Sequence, residues 1–371
     1  MKISGLKAES ISYDIKLLFP VLILVGIGIV MVYSASSAMA FKKFGTDSYF
    51  LKKQGTFALA GIVALVILRH TPYRLFRSLS YIILISSFVM LSLVKVPDIG
   101  YSAGGADRWI RLLGLSFQPS EFARFSMIIY LAYSMSKKQE KIKEFSIGFM
   151  PHVFVLSIYT LLILIQPDFG SVIILCLLTW IMMFSGGVRI THLLSGLLVA
   201  LPLAVYLMQN ATYRMKRVLS FMDPWSHSAD EGYQVVHSLM AFGSGGIFGS
   251  GIGQGYQKLF YLPEPHTDFI FSVVGEELGF FGVLFIIGLY TVILWRGIII
   301  SKNSEDLFGS FVALGITTAM GLQIGINMGV AMGLLPPKGL ALPFLSYGGS
   351  SLLINMACIG ILMNIGASHT R

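Results

Sequence analysis

Ile15-Lys-Leu-Leu-Phe-Pro-Val-Leu-Ile-Leu-Val-Gly-Ile-Gly-Ile-Val-Met-Val-Tyr-Ser-Ala-Ser36 carries one charged residue, Lys16, and is otherwise almost wholly apolar. A helix crossing a hydrocarbon core of about 30 Å needs roughly 20 such residues. The block is too long for a signal-peptide core and no small-residue cleavage site clearly ends it, so it reads as a retained first span. Blocks of the same character follow at 54–69, 77–95, 119–136, 147–165, 169–186, 190–208, 267–296, 306–331 and 347–367. The expected fold is an all-α polytopic membrane protein, a single integral membrane domain over residues 1–371 with about ten transmembrane helices.

Composition agrees. Hydrophobic residues make up 55% of the 371 and charged residues 12%, and the mean hydropathy is +0.77. A soluble domain carries about 25% charged residues, so this chain has too little polar surface to coat a globule. Cys176 and Cys358 both lie in apolar blocks and read as small buried hydrophobes, not as a disulfide or a metal pair. The net charge of +9 fits basic loops against anionic headgroups. No basic stretch is interleaved with exposed aromatics, which argues against nucleic acid as a partner.

An even number of spans puts both termini on one side. Lys2, Lys7 and Lys16, with the basic linkers Arg69–Arg77 and Lys137–Lys143, make that side cytoplasmic by the positive-inside rule. Lys42, Lys43, Lys52 and Lys53 fall on the other side, against the rule. The connection 209–266 is far longer than the others and faces outward on this topology. Loops beyond about 15 residues are usually functional or disordered. This one has aromatics, prolines and a glycine cluster from Gly243 to Gly255, so short or re-entrant helices are expected in it.

The polar residues around that loop are the candidates for chemistry. Asp268 sits where the loop becomes the eighth span, after Pro263 and Pro265. It could cap the helix, with Thr267 as the other capping candidate, or act as general base on a hydroxyl at the membrane surface; the two roles can coexist. Glu276 and Glu277, further along the same span, either pair with another helix or face a cavity. On a regular helix neither can easily share a proton donor with Asp268. Arg124 lies three residues after Glu121, so an internal ion pair competes with an arginine fork reaching a phosphate.

Arg214 and Arg217 concentrate positive charge at the start of a loop that is neutral as a whole and also holds Lys258. That suits a pyrophosphate, although interfacial snorkelling explains such residues too. Arg108 and Arg111 are weaker candidates of the same kind. Lys338 is the one charge in Pro336-Pro-Lys-Gly-Leu-Ala-Leu-Pro-Phe-Leu-Ser-Tyr-Gly-Gly-Ser-Ser351, held on a stiff turn. The glycine cluster lacks the Gly-Lys-Ser/Thr of a nucleotide loop and any βαβ context. It reads as tight packing of a re-entrant segment, which is tolerated at membrane depth only inside protein or along a cavity.

Taken together these segments resemble the SEDS family (shape, elongation, division and sporulation proteins). The resemblance rests on Arg108-Trp-Ile, Gln118-Pro-Ser-Glu-Phe-Ala-Arg124, Gln166-Pro-Asp-Phe-Gly170, Tyr213-Arg-x-x-Arg217, Phe221-x-Asp-Pro224 and Gly232-Tyr-Gln. It continues through the glycine cluster, Leu262-Pro-Glu-Pro-His-Thr-Asp-Phe-Ile-Phe271, Gly275-Glu-Glu-Leu-Gly279 and Leu342-Pro-Phe-Leu-Ser-Tyr-Gly-Gly-Ser-Ser351. Gly333-Leu-Leu-Pro-Pro-Lys-Gly339 is most similar to the division branch. Arg124 departs from the lysine of many members, and Pro265 from the alanine of many division members.

The resemblance implies an inverting peptidoglycan glycosyltransferase that polymerises lipid II during septal wall synthesis in the bacterial inner membrane. Asp268 maps onto the family's essential acid, Arg214 and Arg217 onto its loop arginines, and Lys338 onto the division-type lysine. Arg108, Glu121, Arg124, Lys258, Glu276 and Ser350 complete the expected substrate-contacting set. A divalent cation, magnesium or manganese, could assist, although no metal-ligand spacing is visible. The implied partners are a class B penicillin-binding transpeptidase and other divisome membrane proteins. A lipid II flippase and a non-catalytic scaffold for the transpeptidase are the alternative readings.

Overall fold

The computed structural model describes residues 14–103, 106–112, 115–209, 220–228, 230, 232–259 and 262–368. Arg214 and Arg217 lie outside the described residues. The order is α1 (Ile15–Phe44), α2 (Tyr49–His70), α3 (Arg74–Ser78), α4 (Ser80–Leu93), β1 (Gly100–Ala103), β2 (Ala106–Leu112), β3 (Leu115–Phe117) and α5 (Pro119–Lys137). It continues with α6 (Met150–Ile165), α7 (Phe169–Ser185), α8 (Ile190–Gln209), α9 (Tyr233–Gly245), α10 (Ile270–Lys302), α11 (Leu307–Ala331) and α12 (Gly349–Ser368).

The protein is an all-α polytopic membrane protein. Six described helices are long and apolar enough to cross a membrane by length and composition, among them α1, α2, α10, α11 and α12. Three shorter apolar helices and α5, which carries Glu121 and Arg124, fill the remaining expected positions. Large apolar side chains cover the outside: Leu198 and Val199 on α8 are 76% and 71% exposed, and Phe154, Phe281 and Trp295 are similarly bare. Apolar exposure on this scale would drive aggregation in water and is what lipid requires.

Aspartates start three of the helices. Asp14, Asp168 and Asp306 each accept a backbone N–H in the first turn, of α1, α7 and α11 respectively. At one end of the bundle the Tyr73 hydroxyl donates to Asp306 Oδ1 at 2.8 Å, and the Tyr73 N–H donates to Asn364 Oδ1 at 2.9 Å. Arg296 pairs with Asp14 at 2.6 Å. The start of α1 and the end of α12 therefore lie at the same end, as an even number of spans requires. The candidate site lies at the other.

Two elements differ from the expected pattern. The linker before α5 holds a three-stranded antiparallel sheet, with Tyr101 opposite Trp109 and Arg111 opposite Ser116. Its strand β2 sets Asp107, Arg108 and Arg111 around a buried Ile110, without a clean alternation and too short to stand out between apolar spans. The eighth span is also not continuous. Gly279, at φ 66° and ψ −165°, breaks α10 into a short segment up to Leu278 and a long one after it.

The glycine cluster packs into this break. Ser250 and Gly251 N–H donate to the Glu276 and Glu277 carbonyls, and Phe280 N–H donates to the Gly246 carbonyl. Backbone that leaves a helix inside the bundle is thus satisfied by the re-entrant loop. A Cβ at Gly279 would meet Gly249 N at 2.3 Å, and its φ/ψ region is essentially glycine-only, worth about 1–3 kcal/mol of strain for any other residue. Gly279→Ala is expected to lower the thermal unfolding midpoint in detergent by several degrees. Gly26→Ala, on an exposed α1 face with nothing within 4 Å, should not lower it, because alanine is the better helix former; an equal loss in both variants would refute the packing role of the break.

Candidate active site

Two amides on α11 organise the site. Gln323 and Asn327 are four residues apart and share one helix face. Asn327 Nδ2 donates to the Asp268 carbonyl at 2.9 Å and to the Leu340 carbonyl at 2.6 Å. One turn away, Gln323 Nε2 donates to the Ala341 carbonyl at 2.7 Å. Gln323 Oε1 accepts from Arg124 Nη1 at 2.5 Å, and Arg124 Nη2 pairs with Glu121 at 2.7 Å. A buried ion pair at the start of α5 therefore connects through α11 to the loop between α11 and α12, and to the backbone of Asp268.

The same loop is fastened on its other side. The Tyr290 hydroxyl donates to the Pro343 carbonyl at 2.5 Å, Gln54 Nε2 to the Ser346 carbonyl at 3.2 Å, and Tyr347 N–H to the His266 carbonyl at 2.8 Å. The His266 ring lies against Phe50 and Tyr347. Burial lowers its pKa to about 4, so it is neutral near pH 7. The segment leading to Asp268 and the Lys338 loop are thus one packed unit.

Asp268 does not cap α10. The N-cap is Phe269, with no side-chain cap, and Thr267 Oγ1 donates instead to the Glu264 carbonyl. The Asp268 carboxylate is half-buried and lies against Gly339, where an added Cβ would come within 3.2 Å of Oδ2. The preceding residue, Lys338, holds its ammonium 5.7 Å from the centre of the Phe169 ring. Burial lowers the Lys338 pKa to about 8, opposed by the nearby Asp168 carboxylate. Asp168 is itself fixed by Ser171, accepting from its N–H at 3.2 Å and its hydroxyl at 2.7 Å.

Arg108, on β2, reaches the same turn, donating to the Gln166 carbonyl at 3.4 Å and the Pro167 carbonyl at 2.5 Å. A polar strip results: Arg108, the turn ending in Asp168, Lys338, Gly339, Asp268. Arg111 stays outside it, stacked over Tyr101.

Other residues expected to touch substrate are committed to the scaffold. Lys258 is buried, with Nζ 2.5 Å from Glu277 and 2.8 Å from Ser34 Oγ. Glu276 accepts from the N–H groups of Tyr256 at 2.7 Å and Gln257 at 3.2 Å. Both glutamates bond the re-entrant loop that packs at the break, and Glu277 also accepts from Ser34 Oγ of α1. Glu121 and Arg124 form the internal pair described above, and buried Ser350 accepts from Gln118 N–H at 3.3 Å. Among the described residues no three His, Cys, Asp or Glu side chains gather as a metal site.

Gln323, Asn327, Asp168 and His266 were not candidates on sequence. Gln323 and Asn327 carried a weak signal, two amides four apart in an apolar block. Asp168 lies inside Gln166-Pro-Asp-Phe-Gly170, where a single acid carries no signal of its own role.

Comparison with known proteins bears on what this strip does. The family model described as "Cell cycle protein", spanning FtsW, RodA and SpoVE, matches residues 15–371. The chain belongs to the FtsW/RodA/SpoVE family. It is 49% identical over 355 residues to the "Probable peptidoglycan glycosyltransferase FtsW" of Trichlorobacter lovleyi, covering 96% of this chain and 93% of that one. Among solved structures, the family fold recurs in a chain from "Structural coordination of polymerization and crosslinking by a peptidoglycan synthase complex". There the TM-score is 0.80 at 28% identity, over 97% of this chain and 99% of that one. The rod shape determining protein RodA of Thermus thermophilus matches with a TM-score of 0.72 at 27% identity, over 97% and 98% of the two chains.

In this family member the buried Lys258–Glu277 pair gives a direct test of the scaffold. Removing one partner of a buried pair costs about 3–5 kcal/mol because the other charge is left unpaired. Lys258→Met alone should strongly lower the unfolding midpoint in detergent, and adding Glu277→Gln should restore most of the loss. A double variant less stable than either single would overturn this assignment.

Proposed function

We propose that the chain is a peptidoglycan glycosyltransferase of the division branch, joining lipid II units into glycan strands. The observation that carries this is the 49% identity, over nearly the whole chain, to a relative named for that activity. The polar strip supports it by setting an aspartate, Asp268, beside a loop that carries a half-buried lysine, Lys338.

In this reading Asp268 removes the proton from the 4-hydroxyl of the GlcNAc of one lipid II. The resulting oxygen attacks the anomeric carbon of MurNAc on a second lipid-linked chain. The bond from that carbon to the pyrophosphate oxygen breaks, and undecaprenyl pyrophosphate leaves with the electron pair and inversion at the carbon. Charge develops on the leaving pyrophosphate, so cations held near it stabilise the transition state. Lys338 fills that role in the strip, with Arg108 at its edge, and Arg214 and Arg217 join them from the long loop. The half-burial of Lys338 strengthens its attraction to phosphate by lowering the local dielectric.

The protein then sits in the bacterial cytoplasmic membrane with both termini inside and the strip facing outward, where lipid-linked sugars stand in water. A class B penicillin-binding transpeptidase is the natural partner, since polymer must be crosslinked as it forms, with other divisome membrane proteins around the pair. The charges a flippase would use, Glu276, Glu277 and Arg124, are spent here on internal pairs. That weakens the transport reading.

Purified protein with its transpeptidase should polymerise labelled lipid II, and Asp268→Asn should abolish product while leaving the complex intact. Equal polymer from both would refute the base assignment. Asn327→Ala frees the Asp268 and Leu340 carbonyls and should cut turnover about 10-fold or more through misplacement of the base, with little change in lipid II binding. Because only protonated Lys338 attracts pyrophosphate, rate should fall as pH rises through about 8. Lys338→Arg, always charged, should abolish that alkaline limb even if its overall rate is lower. An unchanged limb would assign the titration to another group.

A further inference from the structure

The end of the bundle away from Asp268 carries a second feature. Between α1 and α10 lies an open groove of about 600 Å³, lined by Ile15, Phe19, Val292 and Trp295, with Lys16 and Arg296 among its lining residues. Its volume is that of small-molecule clefts, about 300–1,000 Å³. The groove is separate from the polar strip. From the break at Gly279 to Arg296, 17 residues along a helix, the rise is about 26 Å, so the two lie at opposite faces of the membrane.

The residue types are those of a lipid–water interface. Trp295 is 64% exposed and Phe19 63% exposed, although both lie beside charged groups. Aromatic side chains of this kind settle at headgroup level, and lysine and arginine stems lie along acyl chains with their charge directed outward. The polar balance is positive. Asp14 Oδ2 takes Arg296 Nη2 at 2.6 Å, and the Arg296 side chain remains 25% exposed. Exposed Lys16, two residues after Asp14, is the second cation. Among the described residues, Asp14 is paired with Arg296 and Lys16 adds a second cation at the mouth of the apolar groove.

We propose that this groove is a binding site for one anionic phospholipid, its acyl chain lying between α1 and α10 and its phosphate against Lys16 and Arg296. A zwitterionic headgroup would bring its own cation to a mouth that already has an excess of positive charge, so an anionic lipid is favoured. The bound lipid would clamp the start of α1 to the second half of α10. That α10 segment lies beyond the helix break and depends on lateral packing to hold its angle. Lipid bound there stabilises the folded state by mass action.

The test uses the full-length protein in detergent, titrated separately with phosphatidylglycerol and phosphatidylcholine. Thermal unfolding and native mass spectrometry of retained lipid are the readouts. Phosphatidylglycerol should raise the midpoint by several degrees more than phosphatidylcholine, with one molecule retained per chain. Lys16→Gln should weaken phosphatidylglycerol binding about five-fold, the equivalent of about 1 kcal/mol per interfacial cation. It should leave the lipid-free midpoint unchanged. Arg296→Gln should abolish the preference at some cost in basal stability, since Asp14 loses its partner. Equal stabilisation by the two lipids, or a preference that survives Lys16→Gln undiminished, would overturn the proposal; polymerase activity is not a readout here.

Discussion

Every backbone group that leaves a helix inside this bundle must find its partner within the protein, because lipid offers none. Most of the chain meets that demand with unbroken helices. Two of the described breaks bear directly on the site, the kink in α10 and the loop between α11 and α12, and polar side chains gather at both. At the kink, Gly249, Ser250 and Gly251 lie against the Glu276 and Glu277 backbone, and the two carboxylates reach back into the loop. In the second loop, Gln323 and Asn327 supply the donors. Among the described residues, buried charge here is divided between side-chain ion pairs, Lys258–Glu277 and Glu121–Arg124, and carboxylates that accept from loop backbone, Glu276 and Glu277.

The site inherits its rigidity from this. Asp268 precedes the short arm of α10, and its carbonyl is held from α11, while Gly339 lies against its carboxylate. The loop that brings Gly339 and Lys338 is held from α2, α10 and α11 at once through Gln54, Tyr290 and Gln323. A carboxylate placed this way does not have to be organised when substrate arrives, which is how positioned groups lower a barrier. The buried Glu121–Arg124 pair acts at a distance from the strip, as the far end of the same chain of hydrogen bonds.

Lys338 and His266 illustrate how burial sets charge near the site. Both are pushed toward their neutral forms; Glu264, 3.9 Å from His266 Nε2, is largely exposed to solvent and does not offset the burial, so His266 stays an aromatic wall. Lys338 has Asp168, which keeps it a cation near neutral pH. Asp168 is held in place by Ser171 while it caps α7. A helix cap and an electrostatic partner are thus the same residue.

The number and order of spans were legible in the sequence, because the bilayer imposes a length of apolar helix that few other environments demand. Asp268, Lys338 and the glycine cluster could also be picked out, since charge and glycine are conspicuous against apolar blocks. The division of the polar residues between site and scaffold was not legible. Lys258, Arg124 and Glu276 have the same chemistry as Lys338, Arg108 and Asp268; only their neighbours differ. Glu277 meets Lys258 across a helix break that one glycine makes, and Arg124 meets Gln323 across 199 residues of chain. Local sequence determined which groups needed partners. Tertiary packing decided which partners they received, because the energy of a buried charge depends on what lies within a few ångströms and not on what is adjacent in the chain.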